Sequence, residues 1–169
     1  NDIQISRVSG NISQFDIRGD TLLFKVKNLR AWEQSGIVMS DFKANVLICH
    51  TEMAFSDFKL KTPRSQLSGY YAMRYRNWGS LGDFIDSVTL VADLNLSNID
   101  MKDIAFFTDD LKGIDLSIRL KGHIKGPISN LKGKNLSIYL GSVTQLDGDF
   151  SMQGLPDFKN TMISLNIKK

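Results

Sequence analysis

The sequence has a single cysteine, Cys49, and only two histidines among its 169 residues. One cysteine excludes an internal disulfide and leaves the redox compartment undetermined. No apolar run approaches the roughly 18 residues that a membrane-spanning helix needs. The 21 basic residues are nearly balanced by 18 acidic ones, and so mild an excess does not by itself predict nucleic-acid binding. A hydrophobic fraction of 42% at this length is enough for one folded domain with a core.

Motifs for catalysis and metal binding are also scarce. His50 follows Cys49 directly, and the alternation of a strand places neighbours on opposite faces, which is a poor geometry for a nucleophile and its base. We therefore expect a buried, structural Cys49 beside an exposed His50. No CxxC or HExxH pattern occurs, and no glycine-rich loop between a strand and a helix marks a nucleotide site. We expect no enzyme activity, no metal and no cofactor.

Two further patterns have an ordinary structural interpretation. Several pairs of aspartates are interpreted as caps of turns and helix ends, namely Asp83/Asp86, Asp109/Asp110 and Asp147/Asp149. The stretch Tyr70–Trp78 interleaves aromatic residues with arginines, as a strand that stacks bases would. Alternation instead predicts that Tyr71 and its same-face neighbours pack inward while Ala72 and the arginines face water. We expect no nucleic-acid partner.

Alternation of apolar and polar residues is the most abundant signal in the chain. From Leu116 to Ile128 every even position is apolar or glycine, and the odd positions include Arg119, Lys121, His123 and Lys125. This period of two predicts β-strands with one face in water. We predict strands near residues 3–8, 12–18, 21–28, 37–49, 53–61, 66–76, 88–97, 115–125, 135–141, 145–153 and 161–168.

Two segments depart from the strand pattern. Residues 81–87 are predicted to form one helical turn. A short helix is predicted over 101–112, because Asp100 can cap its first turn and Gly113 can close its last. One face of that helix would carry the apolar residues Ile104, Phe107 and Leu111.

Strands that do not alternate with helices favour an antiparallel, mostly β arrangement over a parallel βαβ sheet. Strand units with similar alternation recur along the chain, for example in residues 42–48, 67–75, 88–96 and 146–154. Such recurrence is typical of an elongated, quasi-repetitive sheet. The chain opens on Asn1 inside strand-like sequence, so we expect residues 1–169 to be a single segment of a longer protein.

The stretch from Leu120 to Ile167 resembles the TamB family of Gram-negative bacteria, within the wider AsmA-like group. Its GHIKGPISNLK segment is similar to a turn that recurs in that family, and LDGDFSMQGLPDFKNTMISLNI is similar to the form in the large periplasmic members. Upstream, KNLRAWEQSGIVMSDFKANVLI and MAFSDFKLKTPRSQLSGYYAMRY have a softer similarity.

The resemblance implies a curved antiparallel sheet that forms an open hydrophobic groove, described as a β-taco or half-pipe. It also implies a periplasmic location and support of outer-membrane biogenesis. The groove would conduct phospholipid from an inner-membrane anchor, absent from this sequence, toward the outer membrane. An older account gives the family a role in assembling outer-membrane proteins with an Omp85-type barrel partner.

The residues support an open groove independently, because a one-sided apolar sheet must cover its face and one short helix is too little to do so. The acyl chains of phospholipid are then the expected ligand. The candidate groove residues are Leu90, Leu94, Leu116, Ile118, Leu120, Ile124, Leu136, Ile138, Leu140, Phe150, Met152, Leu165 and Ile167.

Other functions remain open at the level of sequence. An exposed sheet edge can accept strands of nascent outer-membrane proteins, which would make the chain an assembly scaffold. A closed β-sandwich that serves in adhesion or carbohydrate binding is a further alternative, as is an unrecognised enzyme. A closed core would be dry and compact, whereas a groove would be elongated and would carry lipid.

Overall fold

The computed structural model describes residues 5–33, 38–105, 112–141 and 144–168. Within them the chain forms ten strands, which are β1 (Ile5–Arg18), β2 (Thr21–Glu33), β3 (Val38–Ile48), β4 (Glu52–Lys61), β5 (Gln66–Arg74), β6 (Thr89–Asp100), β7 (Ser117–Gly126), β8 (Asn130–Leu140), β9 (Thr144–Gln153) and β10 (Met162–Lys168). The helices are α1 (Phe84–Ser87), α2 (Met101–Ile104) and two 3-10 helices, Trp78–Asp83 and Phe158–Asn160.

The ten strands form one antiparallel sheet in simple chain order. β1 and β10 lie at the two edges and each pairs on one side only, so the sheet is open and is not curled on itself. Nine strand spacings of about 4.8 Å make it roughly 40 Å across. The predicted fold class, a mostly β, elongated and open antiparallel sheet, is confirmed. The predicted strands 3–8 and 12–18 prove to be parts of one strand, β1.

Short turns of a few residues connect most neighbouring strands. Gly19 joins β1 to β2 with a φ of +61°, a conformation that glycine adopts without strain. Between β4 and β5, the Ser65 backbone N–H donates to Thr62 Oγ1 at 2.7 Å. Between β7 and β8, the Asn130 N–H donates to the Pro127 carbonyl at 2.9 Å. These local bonds end the strands at residues that favour turns.

Bulges interrupt the alternation in β2, β4 and β8, each at a residue with positive φ. These residues are Asn28, Asp57 and Asn135, with φ of 55°, 51° and 50°. Asn and Asp tolerate this left-handed conformation better than other residues that carry a Cβ. Each bulge shifts the register by one residue, which moves the apolar positions from one parity to the other.

The tightest packing lies on β2, β3 and β4, where Val26, Ala44, Val46 and Phe58 are buried. Aromatic rings extend this cluster sideways, with centroid distances of 6.1 Å from Phe42 to Phe55 and 6.0 Å from Phe55 to Tyr71. All the described strands belong to the same sheet, so within the described residues no second sheet packs over this cluster.

The predicted helix at 101–112 begins as expected. Asp100 is the N-cap of α2, and its Oδ1 accepts the Lys102 N–H at 2.9 Å. The helix ends at Ile104 with Ala105 as C-cap, Lys112 lies in a turn, and residues 106–111 lie outside the described part of the chain. The turn predicted at 81–87 is confirmed as the end of the 3-10 helix together with α1.

Candidate functional site: the apolar face of the sheet

The two faces of the sheet differ in chemistry most clearly from β7 to β10, since on β2 to β6 the second face also carries apolar and small residues, namely Leu23, Leu47, Ala54, Ala72 and Val91. The face that carries Val26, Val46 and Phe58 is called the apolar face, and the opposite one is called the polar face. Directly opposed residues of neighbouring antiparallel strands project to the same face. The strand register therefore extends the apolar face from β2 to β10 through one row of opposed residues: Phe24, Val46, Phe55, Tyr71, Ala92, Ile124, Gly133, Phe150 and Leu165.

The same register places twelve of the thirteen candidate groove residues on the apolar face. They are Leu90 and Leu94 of β6, Ile118, Leu120 and Ile124 of β7, Leu136, Ile138 and Leu140 of β8, Phe150 and Met152 of β9, and Leu165 and Ile167 of β10. Leu116 precedes β7, and its side chain is exposed. For Leu116 the expected strand position is wrong, because β7 begins one residue later.

Most candidate residues are neither buried nor fully exposed. Leu120 and Leu136 are buried, with 8% and 3% of their surface exposed, whereas Leu165 and Ile167 on the edge strand expose 63% and 60%. The other candidates in β6 to β9 are half-buried. Side chains that pack sideways while their tips remain accessible form a surface that an apolar ligand can cover.

A hollow of about 90 Å³ opens in this surface over Gly148. Its apolar lining includes four candidate residues, Leu136, Ile138, Leu165 and Ile167, together with Leu146. Gly148 lies directly opposite both Leu136 and Ile167, and β10 lies so close that a Cβ added at Gly148 would clash with the Asn166 carbonyl oxygen. This volume matches a few methylene groups rather than a whole small molecule.

The basic residues of β7 lie on the polar face and are exposed, as predicted. The Arg119 guanidinium lies 5.3 Å from the centre of the Tyr139 ring, and the His123 imidazole pairs with Asp93. Lys121 is exposed while its neighbour Leu120 is buried, which confirms the register of β7 derived from alternation.

Half of the apolar face was missing from the predicted set, because all the candidates other than Leu116 come from β6 to β10. The structure adds the residues of β1 to β5, including the exposed Ile12, Phe15 and Ile17 on the edge strand β1. The Phe15 and Phe24 rings stack at 6.4 Å, which joins β1 to the apolar row. The alternation of residues 42–48 and 67–75 was the signal that could have identified this half.

The cysteine and the histidines have separate surroundings. The Cys49 Sγ lies 3.6 Å from Thr51 Oγ1, and the His50 Nδ1 lies 2.5 Å from Asp20 Oδ2. Cys49 is half-buried rather than buried. The bond with His50 is the largest influence that lowers the pKa of the Asp20 carboxyl. No group of three or more metal-binding side chains occurs within the described residues.

The aspartate pairs differ from the expectation. Asp83 occupies the N-cap position of α1, but its side chain makes no capping bond with the backbone and instead accepts a hydrogen bond from Ser87 Oγ at 2.5 Å. Asp109 and Asp110 lie outside the described residues. Asp147 and Asp149 lie within β9 rather than in a turn. The Asn135 backbone N–H donates to Asp149 Oδ1 at 2.8 Å and lowers the pKa of that carboxyl, with a further contribution from Lys168.

In the aromatic stretch Tyr70–Trp78, Tyr71 lies on the apolar face as predicted. Ala72 is completely buried, so the expectation that it faces water is wrong; it lies opposite the small residue Ala54. Arg74 is paired with Glu52 at 2.8 Å.

Comparison of the chain with protein-family models, curated proteins and solved structures finds no match. Within the described residues, no helix is long and apolar enough to cross a membrane.

Proposed function

We propose that this chain is a lipid-binding groove segment of a TamB-like periplasmic protein. It supports outer-membrane biogenesis by conducting phospholipid between the inner and outer membranes along its apolar face. The observation that carries the proposal is the row of opposed residues from Phe24 to Leu165, in which every residue is aliphatic or aromatic apart from Gly133. A water-soluble sheet gains nothing from so wide an open apolar face unless something apolar covers it.

The chemistry of the face suits acyl chains rather than a polar ligand. Covering it removes apolar surface from water at about 25 cal/mol per Å², and no hydrogen bond is needed to position a hydrocarbon. The half-buried side chains leave their tips accessible on the apolar face, and the hollow beside Ile138 has room for a few methylene groups. Such a surface can hold an acyl chain at many equivalent positions, which suits the passage of lipid along the sheet.

The edge residue Leu165 offers the sharpest test. Its side chain is 63% exposed, so Leu165→Glu places a hydrated charge on the apolar face without a packing defect. The matched control is Ser164→Glu, one residue along the same strand on the opposite face, where the exposed Ser164 lies opposite the uncharged Ser151. Leu120 is less suitable because it is buried, and a charge there would test packing instead.

The measurement is the phospholipid that co-purifies with each variant, by extraction and mass spectrometry, with circular dichroism to verify folding. We expect the native chain and Ser164→Glu to retain phospholipid and Leu165→Glu to lose most of it. In the full-length protein, Leu165→Glu should also weaken the outer-membrane barrier. Equal lipid content in all three folded proteins, or none in any, would refute the proposal.

A scaffold for outer-membrane protein assembly is the second candidate, because β1 and β10 each pair on one side only. A nascent strand would add to such an edge through main-chain hydrogen bonds. Strand addition depends on the backbone, so Leu165→Glu and Ser164→Glu should affect it alike. If a denatured outer-membrane protein binds both variants equally well, whichever face carries the substitution, the result would favour this candidate.

A further inference from the structure

The polar face carries a basic cluster at the end of β7 and the start of β8. Lys125 of β7 lies directly opposite Lys132 of β8, and like charges in this position repel each other. The row of opposed residues through the pair continues to Val91 on one side and Ser151 on the other. This row therefore contains no carboxylate.

The neighbouring cations of the same two strands are compensated. His123 pairs with Asp93. The positive charge of Lys121 helps to lower the pKa of the Asp147 carboxyl, and that of Lys134 helps to lower the pKa of the Asp149 carboxyl. Among the described residues, Lys125 and Lys132 form no ion pair. A facing pair of lysines without a counter-charge is destabilising on its own, and an anion between the two ammonium groups would reverse that effect.

A second facing pair, Lys43 and Lys59, shows the difference. A hollow of about 270 Å³ beside Lys43 and one of about 380 Å³ beside Lys59 both include Asp57 in their lining. Those lysines thus have an acidic neighbour within the same depression of the surface.

The basic cluster lines an open hollow of about 450 Å³. The pair Lys125 and Lys132 contributes to its wall together with Lys134, His123, Thr89 and Asn130. The ammonium groups, the Thr89 hydroxyl and the Asn130 amide are all able to donate hydrogen bonds. Clustered lysine ammonium groups with added neutral donors are a common setting for phosphate, and the volume admits a phosphate ester.

We infer that the hollow around Lys125 and Lys132 binds a phosphate group, either of a soluble phosphate ester or of an anionic lipid headgroup. The site lies on the polar face, so it is separate from the apolar face proposed to hold acyl chains. The Lys125 and Lys132 ammonium groups contact the phosphate oxygens, and Thr89 and Asn130 donate to the remaining ones.

The test uses the double variant Lys125→Gln/Lys132→Gln, which replaces each ammonium by a neutral polar amide and removes two charges from exposed positions. Its matched control is Lys43→Gln/Lys59→Gln, which removes the other facing pair and changes the net charge by the same amount. Circular dichroism verifies that both remain folded. Glycerol 3-phosphate is titrated by calorimetry, and vesicles of phosphatidylcholine with or without phosphatidylglycerol are used in co-sedimentation.

Loss of two charge-assisted contacts should weaken binding by about tenfold or more in the Lys125/Lys132 variant, while the control changes it by less than about twofold at moderate salt. Binding of glycerol phosphate identifies a soluble ester as a ligand. Binding confined to phosphatidylglycerol vesicles identifies the headgroup. Equal weakening in both variants would reduce the effect to net charge and overturn the inference, as would the absence of binding to either probe.

Discussion

At the scale of single residues, the conformation of Asn135 decides which residues of β8 lie on the apolar face. Its φ of 50° creates the bulge, so that Gly133 before it and Leu136 after it share a face. Alternation predicted the even positions after Leu136 but not the odd ones before it. The sequence signal was an asparagine between two apolar positions three residues apart, which also occurs at Asn28 in β2.

Asn135→Val should lower the free energy of unfolding by about 1–2 kcal/mol, because a β-branched residue is strained in the left-handed region. Asn135→Gly is the control, since it also loses the side-chain contact with Lys168 but adopts this φ readily. Urea denaturation followed by circular dichroism measures both. Equal destabilisation by the two substitutions would show that the backbone conformation is not the cause.

Asp149 makes the stability of the fold depend on pH in the acid range. The Asn135 N–H and then the Lys168 ammonium lower the pKa of its carboxyl below the ordinary 3.8. Because the folded pKa is the lower one, the ionised carboxylate stabilises the fold at neutral pH, and this contribution is lost as the pH falls from the ordinary pKa through the folded one.

Asp149→Asn should therefore be less stable than the native chain at neutral pH, and the difference should shrink in acid. Denaturation midpoints measured from neutral pH to about pH 3, below the ordinary carboxyl pKa, follow the change. A difference that stays constant over this range would contradict the assignment.

At the scale of elements, alternation predicted nearly every strand, because this signal is local. The joining of residues 5–18 into one long β1 was not predictable in this way. Gly10 interrupts the strand pattern in the sequence, and Gln14 forms a bulge with a φ of 56°. Residues 5–18 form one strand because they pair with β2 along their whole length.

Gly122 shows how a bulge constrains the neighbouring strand. It has a φ of +132°, and a Cβ added there would lie 2.6 Å from the Asn135 carbonyl oxygen. Gly122→Ala should cost about 1–3 kcal/mol of stability through backbone strain. Gly82→Ala is the control, because nothing lies within 4 Å of its Cβ position. Thermal melting should separate the two variants; similar melting temperatures would argue against strain at the bulge.

At the scale of the whole molecule, the open apolar face was predictable only in part. Alternation identified the candidates on β6 to β10, and register added the matching half on β1 to β5. How exposed each residue is depends on contacts between distant parts of the chain. Leu120 and Ile138 lie directly opposite each other, yet Leu120 is buried and Ile138 half-buried, a difference that no local pattern encodes.

The most direct test of the account is photo-crosslinking from the two faces of β8. A photoreactive amino acid replaces Ile138 on the apolar face or Tyr139 on the polar face, one residue apart in the same strand. The protein is illuminated in cells, and phospholipid adducts are measured by mass spectrometry. We predict a phospholipid adduct from position 138 and little or none from position 139. No adduct from position 138, or equal adducts from both, would contradict the claim that the apolar face binds phospholipid.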